Sequence, residues 1–168
     1  MGCGKSHWGA WAAARLGCPF LDLDEAIVQT EQKTIAAIFD DLGEAGFRAM
    51  ERRHLHATGL LPPTIVATGG GAPCFFDNMD WMNAHGHTLF IDVPPAVLAK
   101  RLLPEQAKRP LIRGVAPDQL ENFIAERLAV RLPFYEKAHT RLRYQEDPLE
   151  YERSVWQVFQ DWATQAGG

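Results

Sequence analysis

Residues 64–71 read TIVATGGG, a β-branched run that ends in three consecutive glycines. A second run, HTLFIDVPP at 87–95, is almost wholly apolar before Asp92. A strand with one wet face alternates apolar and polar side chains, whereas a strand covered on both faces is apolar nearly throughout. Both runs therefore predict strands held between two layers. Around them lie segments of helical character: the Ala-rich 6–16 stopping at Gly17, a long stretch 34–58 broken near Gly43 and Gly46, then 96–103, 117–131 and 148–165. Two more short strands are expected at 18–24 (CPFLDLD) and 140–145 (TRLRYQ), and an exposed loop at 104–114. Strands separated by helices predict an α/β fold with a parallel sheet. Open sheets of that kind bind ligands at the C-terminal ends of their strands, where the chemistry-bearing residues of this chain fall.

A length of 168 residues suits one domain spanning 1–168 with a substantial core. The net charge of −4 opposes bulk attraction to nucleic acid, so no nucleic-acid partner is expected. Cys3, Cys18 and Cys74 are odd in number and far apart, which suggests neither a zinc site nor a disulfide framework and favours a reduced, cytoplasmic compartment. No apolar run approaches the roughly 20 residues that cross a bilayer, so no membrane partner is expected.

Six stretches carry candidate chemistry. The chain opens MGCGKSH, and Gly-Lys-Ser is the end of a phosphate-binding loop. A glycine-rich turn into a helix aims backbone N–H groups at one concavity and favours an anion there. Lys5 would reach phosphates and the Ser6 hydroxyl would ligate Mg²⁺, although a Gly-Lys-Ser tripeptide in a flexible terminus is the plain alternative. In LDLDEA, Asp22 and Asp24 stand two apart at a strand end. On one face of a strand both carboxylates would serve one site, one holding a metal-bound water and the other taking a hydroxyl proton. Alternatively, Asp24 caps the next helix. Arg48, in GEAGFRAMERR, and Arg131, before Pro133, suit bidentate binding of a carboxylate, while Arg52 and Arg53 read as solvated charges. Gly69, Gly70 and Gly71 leave backbone N–H groups bare to an approaching ligand. Arg109, in KRPLIRG, is placed like a lid cation that neutralises a transferring phosphoryl group.

The order phosphate loop, D-x-D, G-E-x-x-F-R, G-G-G-A, R-P-L and R-x-P-x-Y-x-x-A resembles the shikimate kinases from Gly2 to about Tyr144. The resemblance implies a three-layer αβα P-loop kinase fold with a parallel sheet of order 2-3-1-4-5, acting as a monomer. It implies transfer of the γ-phosphoryl of ATP to the 3-hydroxyl of shikimate, with Mg²⁺, on the route to chorismate and the aromatic amino acids. Gly2, Cys3, Gly4, Lys5, Ser6 and His7 would then form the nucleotide loop, with Arg101 on the adenine. Ser6 would bind the metal directly and Asp22 through water. Lys5, Asp24 and Arg109 would be catalytic, with Asp24 the base. Asp24, Arg48, Arg131 and Gly69–71 would bind shikimate. The lid would span about 104–116, and a helical region of about 24–58 would carry substrate contacts.

Two departures from the family pattern shape the expectations. His7 stands where Thr or Ser is usual, which bears on nucleotide affinity. The first glycine of the loop and the strand before it, central in the family, have no counterpart ahead of Gly2. Met1 therefore reads as an internal methionine preceded naturally by about ten residues, a strand's length. Without them the sheet has a hole, and poor stability and weak activity are expected. The remaining alternatives are another small P-loop kinase of the gluconate kinase type, and a non-catalytic remnant that binds shikimate.

Overall fold

The computed structural model describes residues 2–108 and 111–166, with side chains described for 2–106 and 111–164. Arg109 lies outside the described residues. The chain begins with helix α1 (Lys5–Leu16), closed by Gly17 in the left-handed conformation whose N–H bonds to the Ala13 carbonyl. Strand β1 (Phe20–Asp22) leads directly into α2 (Leu23–Glu31), and α3 (Ile35–Ala57) follows. The break expected near Gly43 is present inside α3, where Gly43 has φ 67° and ψ −179°. Strand β2 (Ile65–Ala67) runs into the triple glycine, which turns through a short 3-10 segment into α4 (Asn78–His85). Strand β3 (Leu89–Asp92), α5 (Pro95–Leu102), α6 (Leu120–Tyr135), β4 (Thr140–Arg143) and α7 (Pro148–Ala166) complete the chain.

Three local expectations need correction. The D-x-D stretch is not one strand, because β1 ends at Asp22 and Asp24 already sits in the first turn of α2. The helix cap is Asp22, which accepts from the N–H groups of Asp24 and Glu25 at 3.1 and 3.4 Å. Capping by the first acid pulls the chain into a helix before the second can extend the strand. The exposed loop expected at 104–114 is not exposed at Ile112, which is 0% accessible among Val93, Leu98, Leu102, Leu120 and Ile124. Gln106 fixes that arrangement through Nε2, which donates to the carbonyls of Ile112 and Val115 at 2.8 and 2.6 Å. Helix α6 does not stop before Pro133 but continues to Tyr135. Helix α4 was not legible in the sequence, because a helix of eight residues offers barely two turns of periodicity.

The strands are parallel, as expected, and form two separate pairs among the described residues: β1 with β2, and β3 with β4. The inner edges of β2 and β3 face one cleft of about 680 Å³, with Ile65 and Val66 on one side and Leu89 and Ile91 on the other. Helices cover both faces. Trp8 and Trp11 of α1 meet Tyr151 and Val155 of α7 over β3 and β4, while Leu23, Ile27, Ile38, Phe47 and Leu55 bury α2 and α3 beside β1. The inner edges of β2 and β3 thus pair with no strand among the described residues. Among the described residues no helix is long and apolar enough to cross a membrane.

Candidate active site

The C-terminal end of β1, the start of α1, the middle of α3 and the glycines after β2 converge at one end of this cleft. Gly4 adopts φ 94°, a left-handed conformation open to glycine, and turns the chain into α1 so that Lys5 is its first residue. The N–H groups of the first helical turn have no intrahelical acceptor and define an anion site. The Ser6 hydroxyl donates to Asp22 Oδ2 at 2.5 Å, joining the loop to the end of β1. A hydroxyl and a carboxylate oxygen brought together in this way form a hard donor set that fits a Mg²⁺ ion.

Asp24 lies between charges of both signs. Burial pushes its carboxyl above the ordinary range, and the charge of Asp22 adds to the rise, while Lys5 and Arg48 oppose it. Arg48 reaches the same place from α3, its guanidinium 2.7 Å from Glu51 Oε2 and 4.3 Å above the centre of the Phe75 ring. Glu51 is only 1% exposed. Its carboxyl is also raised, first by burial and then by Asp24, against the pull of Arg48 and Arg131. Sequence reasoning missed Glu51, although its position three residues after Arg48 on a helix was a usable signal.

A side chain at these glycines would displace the functional groups beside them. A Cβ on Gly69 would lie 2.9 Å from Glu51 Oε1 and 3.0 Å from Asp24 Oδ1, and one on Gly71 would lie 2.6 Å from the Arg48 guanidinium. Arg131 approaches from α6, and its charge acts on Glu51, Cys74 and Tyr135. Lys5, Gly69, Gly70, Arg131 and Tyr135 all line the end of the same cleft. Asp22, Asp24, Arg48, Gly69, Gly70, Gly71, Lys5, Ser6 and Arg131 are therefore brought together.

Two expected residues stand apart from that cluster. Arg101, on α5, is exposed, lies 5.2 Å over the Tyr144 ring and reaches the Gly2 carbonyl only at 3.5 Å. His7 is exposed and meets the edge of Trp8. Arg52 and Arg53 are surface cations, paired with Asp77 and Glu31, as expected.

Parallel strands covered by helices, with a Gly-Lys-Ser turn at a helix start and acids at the adjacent strand end, define a P-loop kinase fold. A family model described as "Shikimate kinase" matches residues 1–161. A shikimate kinase of Bacteroides fragilis is 45% identical over 83% of this chain and 78% of its own length. One from Bacteroides thetaiotaomicron is 42% identical over 94% and 87%. The crystal structure of shikimate kinase from B. thetaiotaomicron superposes with a TM-score of 0.88 at 41% identity, covering 95% of this chain and 92% of that one. The Acinetobacter baumannii shikimate kinase, solved in complex with shikimate, superposes at 0.78 with 29% identity, over 96% and 85%. The chain belongs to the shikimate kinase family, whose members use ATP with Mg²⁺.

Proposed function

We infer that this site transfers the γ-phosphoryl of ATP to the 3-hydroxyl of shikimate. The observation that carries the reading is the cluster of half-buried Asp24 and Arg48 with buried Glu51, packed against Gly69 and Gly71. It offers a cation to a carboxylate and an acid to a hydroxyl within one enclosure.

Phosphoryl transfer depends mainly on positioning and on neutralising charge. The residues from Gly2 to His7 form the nucleotide loop, in which Lys5 lies against the transferring phosphate. Mg²⁺, held by Ser6 and through water by Asp22, would supply further positive charge there. Asp24 accepts the proton of the attacking hydroxyl, and its raised affinity for a proton makes it a better base than an exposed aspartate. Arg48 and Arg131 grip the substrate carboxylate from two helices, and Glu51 holds the Arg48 fork in place. Gly69, Gly70 and Gly71 line the cradle without side chains. Arg109 completes the charge from a lid spanning about 104–116, and Arg101 lies beside the adenine. The helical region of about 24–58 carries the substrate contacts. The protein acts as a single-domain, cytoplasmic monomer, with no nucleic-acid or membrane partner.

The test is an ADP-release assay with shikimate, gluconate or no acceptor. Release only with shikimate supports the reading, and release with gluconate alone rejects it. Calorimetry that finds shikimate binding without ATP binding would instead identify a non-catalytic binder. Replacing Arg48→Lys removes the fork but keeps the charge. The KM for shikimate should rise about 10- to 100-fold, the worth of one charge-assisted bidentate contact, with the KM for ATP unchanged.

A further inference from the structure

The triple glycine poses a physical problem that the contacts described above leave open. Three successive glycines have almost no conformational preference, so the peptide between Gly70 and Gly71 turns over at little cost. A cradle made of backbone N–H groups works only if those groups point one way.

The carbonyls of this segment are all occupied. Gly69 accepts from the Ala72 N–H at 3.1 Å, Gly71 from the Cys74 N–H at 2.9 Å, and Ala72 from Asn78 Nδ2 at 2.9 Å. These three bonds are local to the turn and the helix after it. The Gly70 carbonyl is held from elsewhere: the Tyr135 hydroxyl, 65 residues on in α6, donates to it at 2.5 Å. Among the described residues no backbone carbonyl takes the N–H of Gly70 or of Gly71.

Across a trans peptide the C=O of one residue and the N–H of the next point in opposite directions. Fixing the Gly70 oxygen toward α6 therefore fixes the Gly71 N–H away from it. The side of Gly71 that lacks a Cβ lies against the Arg48 guanidinium, so this residue is at the substrate enclosure. Tyr135 also stands four residues after Arg131 on α6, on the same helical face. One helix thus presents a cation to the site and holds the orientation of the opposing peptide.

We propose that Tyr135 is a positioning residue that, through the Gly70 carbonyl, aims the Gly71 N–H at the bound substrate and sets substrate affinity. This rests on the reading of the site as a shikimate cradle. Burial raises the proton affinity of the Tyr135 hydroxyl, so it remains a donor at any working pH. The ring stays in place without the hydroxyl, because it lies against Phe90 with centroids 5.2 Å apart.

The experiment is Tyr135→Phe in the full chain, with steady-state kinetics and thermal melting beside the parent. The KM for shikimate should rise about tenfold, as expected for losing one oriented hydrogen bond, while kcat and the KM for ATP stay within about twofold. An unchanged KM for shikimate overturns the proposal, and so does a rise shared equally by ATP, which marks general loosening. A second measurement is made on the parent and does not need the variant to fold. The Gly71 amide should exchange rapidly in the free protein and become protected when shikimate is added. No protection in a parent that binds and phosphorylates shikimate sinks the proposal alone. Failure of the parent to bind shikimate sinks the underlying reading instead.

Discussion

Fusing an apolar β-strand ahead of Gly2, long enough to run between β2 and β3, should raise the melting temperature by on the order of 10 °C or more and increase kcat. The cleft between Ile65–Ala67 and Leu89–Asp92 presents two strand edges, each paired only on its outer side among the described residues. A strand placed there would satisfy backbone groups on both edges and remove apolar surface of Val66, Leu89 and Ile91 from water. Each apolar side chain it buried would contribute about 1.5–3 kcal/mol. For a chain of this size each kcal/mol moves the melting temperature by about 2–4 °C. The gain in kcat follows from connectivity, because such a strand would enter the turn at Gly2–Gly4 and stiffen the loop that carries Lys5 and Ser6. Equal melting temperature and kcat in the parent and extended forms would refute this. An extension of the same length made of Gly and Ser serves as the control and should change neither.

Asp24→Asn should cost about 10²–10⁴ in kcat, the usual worth of a positioned general base, and should raise the melting temperature at neutral pH. The two effects share one cause. The Asp24 carboxyl is raised from 3.8 by burial and by Asp22, so the folded protein holds that proton more tightly than the unfolded chain. Its contribution to stability is present below the unfolded value and is lost as pH rises through the folded value. At neutral pH the ionised group therefore destabilises the fold, and the neutral amide removes that cost. The melting-temperature advantage of the variant should grow from pH 4 to pH 7. In the parent the acid limb of kcat/KM should lie above the ordinary aspartate value, since the base must lose its proton to work. A variant that is less stable than the parent at neutral pH, or that retains most of its kcat, would contradict this account of Asp24.

What the sequence made legible, and what it did not, divides by the range of the interaction. The apolar runs at β2 and β3, the break at Gly43 and the stop at Gly17 depend on residues adjacent in the chain, and all are present. The D-x-D pair was misplaced because strand alternation and helix capping compete for the same acids, and only the geometry of Asp22 decides between them. Ile112 looked like part of a polar loop because its burial depends on α5 and α6 closing around it. The site showed the same division. Single residues such as Lys5, Arg48 and Gly69 stand out by type, whereas how near they lie to one another is read only from the fold. Glu51 and Tyr135 are given no role by residue type alone, although Tyr135 falls within R-x-P-x-Y-x-x-A and Glu51 stands three after Arg48. Their significance comes from which atoms they hold, the Arg48 guanidinium and the Gly70 carbonyl, and that is a matter of tertiary structure.

The most direct test of the whole account is phosphorus NMR of the reaction of this chain with ATP, Mg²⁺ and shikimate. The account predicts one new phosphomonoester, carried on the 3-hydroxyl and formed in step with ADP. It predicts that this signal builds up about 10²–10⁴ times more slowly in Asp24→Asn while shikimate binding persists. Phosphate released only to water, or a phosphomonoester that Asp24→Asn forms as fast as the parent, would contradict it.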